Sequence, residues 1–136
     1  MKLPTQSQLK WAADSWIQVA RDYAEWTSEK WGEYGPMLRL IEHICATNHV
    51  QLLSAGMSLS YLSVAYAAHV YAPHKLSEGA PSICILQSKT EFKFLDAQDR
   101  GRPCPFEKAN ELFDIKLVTL KFMAETYERR RDAAFD

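Results

Sequence analysis

Positions Leu9, Ala13, Trp16, Ala20, Tyr23, Thr27 and Trp31 repeat every three or four residues, with Ile17, Val19 and Ala24 widening the stripe. That period is one face of an amphipathic helix. Thr5 followed by Gln8 forms a capping box at its start, where hydroxyl and amide each satisfy a free backbone N–H. Gly32 supplies its stop, because glycine past a last turn adopts the left-handed conformation cheaply. Gly35-Pro36 restarts the chain, and Met37, Leu40, Ile41, Ile44 and Cys45 give a second helix an apolar face ending near Asn48.

Beyond that point two periods compete. Leu53, Met57, Tyr61, Val64, Ala68 and Tyr71 fit a helix, while Leu62, Val64, Tyr66, Ala68 and Val70 fit a strand. Ser82–Gln87 and Glu91–Leu95 read as a hairpin around Ser88-Lys89-Thr90. An isolated two-stranded hairpin is marginal in water, so a third strand is drawn from residues 59–71. Gly101, Pro103 and Pro105 mark Asp99–Pro105 as a loop. Phe106, Ala109, Leu112, Phe113, Lys116, Leu117, Leu120, Met123, Ala124 and Tyr127 then lay out a long final helix closed by Arg129-Arg130-Arg131. The expected fold is α+β in the order α-α-β-β-β-α, a three-stranded antiparallel sheet covered by helices. A mostly α-helical bundle is the alternative if residues 50–72 are helical.

Composition narrows this further. The chain has 136 residues, 47% of them hydrophobic and 24% charged, which suits a single globular domain over 1–136 and not a disordered segment. Sixteen Lys and Arg oppose 17 Asp and Glu, a formal charge of −1, so no global field draws in nucleic acid or an acidic membrane. Residues 43–74 carry no Asp, Glu, Lys or Arg, yet serines, Gln51, Thr47, Asn48 and histidines interrupt the run of about 20 apolar residues that a membrane span needs. A buried central element is the reading instead. An N-terminus without an apolar signal core, and an odd set of three cysteines, point to a reducing cytoplasm.

Four groups of residues bear on chemistry. Cys104 before Pro105 would sit at a helix N-cap, where the dipole and free N–H groups favour a thiolate, the nucleophile of a small cysteine-dependent hydrolase or transferase. Cys45 and His49, four apart, could meet on a metal ion, though two ligands make no site. Arg100, Arg102, Arg129, Arg130 and Arg131 could converge on a phosphate or other anion, with interleaved acids arguing for a self-neutralised surface instead of a nucleic-acid site. Trp11, Trp16, Trp26 and Trp31 crowd one helix, more tryptophan than one face buries, so Trp11, Trp26 and Trp31 with Tyr34 form a candidate binding surface.

No phosphate-cradling glycine loop, zinc-protease motif, serine-hydrolase elbow or calcium loop is present, and no cofactor is implied. The expected function is that of a small intracellular protein-binding module, an inhibitor, adaptor or immunity-type factor, acting through helix one. The cysteine enzyme and a self-associating structural protein, its aromatic face serving as a homodimer contact, are the competing classes.

Overall fold

A computed structural model describes residues 1–28, 33–73 and 75–134. Helix α1 (Gln6–Ser28) starts at the capping box: Thr5 N–H donates to Gln8 Oε1 at 2.7 Å and Gln8 N–H to Thr5 Oγ1 at 3.1 Å. The stop at Gly32 and the position of Trp31 lie outside the described residues. Helix α2 (Gly35–Cys45) buries Met37, Leu40, Ile41 and Ile44 of the stripe read from spacing, while Cys45, read into the same stripe, is exposed at the helix end. The last helix, α3 (Ala109–Ala134), follows a 3₁₀ turn at Phe106–Lys108.

The expected three-stranded sheet is corrected. The main sheet has five antiparallel strands in the order β1-β2-β5-β6-β7: β1 (Leu53–Ser58), β2 (Tyr61–Tyr66), β5 (Ile83–Gln87), β6 (Glu91–Leu95) and β7 (Arg100–Pro105). Between β2 and β5 the chain makes a separate two-stranded arm, β3 (Val70–Ala72) with β4 (Lys75–Leu76). The helical alternative for residues 50–72 falls with this, apart from single 3₁₀ turns at Val50–Leu52 and Ala67–His69.

Two local features explain the difference. Leu59 and Ser60 form a two-residue hairpin loop between β1 and β2, with φ of 50° and 75°. Such a loop needs left-handed residues at both positions, usually Asn-Gly, and Leu-Ser carries no such signature. Pro103 and Pro105 lie in β7 itself, opposite Lys93 and Glu91. At the outermost strand a proline is tolerated, because its missing N–H is not required by the ladder.

Alternation along the strands sends Leu53, Ala55, Leu62, Val64, Tyr66, Ile83, Ile85, Phe92, Phe94 and Cys104 to one buried face. The helices meet it with Trp16, Val19 and Tyr23 from α1, Met37, Leu40, Ile41 and Ile44 from α2, and Leu112, Phe113, Leu120 and Ala124 from α3, making one continuous core. The opposite face mixes Ser54, Gly56, Ser58, Ser63, Cys84 and Lys93 with Tyr61, Ala65, Leu86 and Leu95, and contributes no residue to the core cluster.

Helix α1 also closes the free edge of β1. The Trp16 indole N–H donates to the Leu53 carbonyl at 2.9 Å, and Ala55 N–H donates to Ser15 Oγ at 2.9 Å. The Tyr23 hydroxyl donates to the Ser60 carbonyl at 2.8 Å, pinning the hairpin loop. Edge strands left open pair with other chains, and the bonds from Ser15 and Trp16 take up one donor and one acceptor at the start of that edge. Among the described residues no helix is long and apolar enough to cross a membrane.

Candidate functional site

The aromatic surplus of α1 is largely absorbed by the fold. Trp16 is buried and bonded to the strand edge. Trp26 is half-buried, its ring centroid 5.7 Å from Tyr23 and 5.8 Å from Tyr34, and Tyr23 and Tyr34 lie 5.0 Å apart. Trp11 is half-buried where α1 passes the β3–β4 arm, lining a recess with Ser54, Gly56, Val70 and Leu76. The Trp11, Trp26 and Tyr34 rings thus retain partial exposure but form no open aromatic patch.

Cys104 stands in β7, two residues before the 3₁₀ turn and not at a helix N-cap, and is 3% exposed. Burial pushes its thiol pKa up; Arg102 pulls it back, while Glu107, Glu111 and Glu91 add to the rise. Its Sγ–H points to the Pro105 carbonyl at 3.4 Å. Burial and the three carboxylates outweigh Arg102, so the balance works against a standing thiolate.

Cys45 is the last residue of α2 and His49 follows a turn, so the helical spacing that would join them is broken; both are exposed. Among the described residues no three His, Cys, Asp or Glu side chains are grouped to hold a metal. The arginines form two separate sets. Arg102 lies 3.8 Å from Asp99, which pairs with Lys116 of α3; Arg129 comes 13 residues later on that helix, about 20 Å further along at 1.5 Å per residue. Arg131 donates to Ser77 Oγ and the Tyr127 hydroxyl at 3.3 Å, and Arg129 to Thr126 Oγ1 at 3.3 Å. The two sets do not converge on one anion.

Sequence reasoning missed two buried polar clusters. Lys116, on the buried face of α3, lies 2.8 Å from Asp96 and closer still to Asp99, both in the β6–β7 turn. Burial alone would raise the Asp96 carboxyl, but Lys116 and the N–H groups of Gln98 and Asp99 outweigh it and hold the pKa below the usual carboxylate value. Burial pulls Lys116 down, and its two carboxylate partners outweigh that and raise it. In the second cluster, His69 Nε2 meets Glu128 Oε1 at 2.9 Å, while the other Glu128 oxygen accepts Lys2 N–H at 3.1 Å. Tyr127 and Tyr66 pack their rings on the imidazole. The pair ties together α3, the chain start and the turn before β3.

The surface that the fold leaves unused is on α3. Leu112, Phe113, Lys116, Leu120 and Ala124 face the core, yet Ile115, Val118 and Phe122 are 63%, 73% and 67% exposed. Spaced three and then four apart, they make one apolar line on the outer side of the helix. Glu111 and Arg129, both exposed, continue that line at its two ends. Among the described residues no other helix exposes three large apolar side chains in a row. The signal was present in the sequence as apolar positions lying off the face that the final helix was read by.

No protein-family model matches the chain, and no curated protein or solved structure is found similar to it.

Proposed function

We propose that this chain is a protein-binding module whose docking surface is the outer face of α3. The observation that carries the reading is the exposed line Ile115-Val118-Phe122 on a helix whose other face is already committed to the core. Three large apolar residues kept in water on one face lose the stabilisation that burial would supply, about 1.5–3 kcal/mol for each side chain fully covered. A contiguous apolar line bordered by charges is the anatomy of a contact centre with a polar rim. On α1, Trp16 closes the sheet edge and Tyr23 holds the β1–β2 loop.

Replacement of Val118 by a photo-crosslinking residue tests this in the cell that makes the protein. A discrete covalent adduct to a protein chain is expected at position 118 and none at Lys93, an exposed position on the far side of the sheet. Equal labelling at both positions, or none at either, overturns the reading.

A further inference from the structure

The line on α3 is more specific than a greasy surface. Glu111, Ile115, Val118, Phe122, Glu125 and Arg129 follow one another at intervals of four, three, four, three and four, the spacing of a helix seam made for a second helix. Charge is segregated along it. The first half carries Glu107 and Glu111, with Lys108 3.9 Å from Glu111, and Asp114, which is bonded to His43; the second half carries Lys121, Arg129 and Arg130 against the half-buried Glu125. Further on, Asp132 is paired with Lys2 and Arg131 is turned to Ser77 and Tyr127.

We infer that the partner for this surface is a second copy of the chain, docked α3 to α3 in antiparallel fashion across a two-fold axis level with Leu120. The inference rests on the binding reading above. An axis there is equidistant along the helix from Val118 and Phe122, so each valine meets the other copy's phenylalanine. The same axis is equidistant from Glu111 and Arg129, nine residues either way, so each acid meets the other copy's base. A parallel pairing would set Glu111 on Glu111 and Arg129 on Arg129, like charge on like. The apolar centre and the charged ends are thus self-complementary, as a two-fold contact requires with residue i facing j and j facing i, and between them the same axis sets Ile115 beside the stem of the other copy's Glu125. Glu111 and Arg129 stand about 27 Å apart on their own helix, so any energetic coupling between them has to run between copies.

Sedimentation velocity on the purified protein, from micromolar to about millimolar concentration, reads the outcome. A monomer–dimer equilibrium is expected. Phe122→Glu, with helix content unchanged by circular dichroism, raises the dissociation constant at least about tenfold. Glu111→Arg and Arg129→Glu each raise it about threefold or more at low salt, and the double reversal returns it to within about twofold of the parent. A monomer at every concentration, indifference to Phe122→Glu, or a double reversal weaker than either single one each overturns the inference. A monomer that still crosslinks through position 118 to a different chain overturns self-pairing alone. A monomer without any crosslink takes the binding reading with it.

Discussion

Leu59 is 90% exposed and both it and Ser60 are held at positive φ, a conformation that disfavours any side chain carrying a Cβ by about 1–2 kcal/mol per residue. Nothing buries Leu59 in return; the loop is held from below by the Tyr23 hydroxyl on the Ser60 carbonyl. Replacing the pair with Asn-Gly is therefore expected to stabilise the protein by about 1–2 kcal/mol in urea unfolding, with Tyr23→Phe losing part of that loop's support. Lys116 works in the opposite sense. Its removal as Lys116→Ala leaves the buried Asp96 without its counter-charge, and breaking such a pair costs about 3–5 kcal/mol. Because the Asp96 pKa is depressed by folding, its share of stability is present above about pH 4, the unfolded carboxylate value, and is lost as pH falls through the lower folded value. Because the Lys116 pKa is raised, its share is complete below about pH 10.4 and is lost as pH climbs through the folded value. Urea midpoints measured from pH 3 to 11 should fall at both ends, and in Lys116→Ala the alkaline fall should shrink. Cys104 should resist iodoacetamide in the native state at least about a hundredfold more than the exposed Cys45, and the two should converge in urea.

Among the helices and strands, those read correctly from sequence are those whose signal is local. The capping box of α1, the Gly35-Pro36 start of α2 and the alternation of β5 and β6 state their own geometry in residue type and spacing. Strand β7 was hidden because Gly101, Pro103 and Pro105 speak of a loop when nothing else is known; only a place at the rim of a sheet makes two prolines compatible with a strand. The docking face was hidden for a related reason. Helix α3 has apolar residues on two sides, and spacing alone does not say which of them meets the sheet. The purpose of Trp16 was likewise out of reach, since its indole N–H serves a carbonyl 37 residues away. Trp16→Phe keeps the packing and removes that bond, so a loss of about 1 kcal/mol is expected, accompanied by faster amide exchange along β1.

For the molecule as a unit, the arrangement is a single layer of helices on one face of a sheet, stitched at one end by Lys2, His69 and Glu128 and near the sheet's outer rim by Lys116, Asp96 and Asp99. Every helix contributes to the same apolar cluster, so no part has a core of its own to melt separately. Calorimetry is expected to show one transition with equal van't Hoff and calorimetric enthalpies and a heat-capacity change of about 1.6–2.0 kcal/mol/K. Two maxima would reveal independent units.

The two rims of the sheet decide what kind of assembly the chain can join. On one side Ser15 and Trp16 hold the backbone of β1, and on the other Pro103 and Pro105 deprive β7 of two donors. Addition of strand to strand is the usual way for a small sheet protein to polymerise without limit, and here neither terminus of that growth is open. Association by way of α3, as inferred above, would cover the exposed apolar line of each copy. Concentrated solutions should therefore saturate at a small particle of fixed size, with light scattering that levels off instead of climbing.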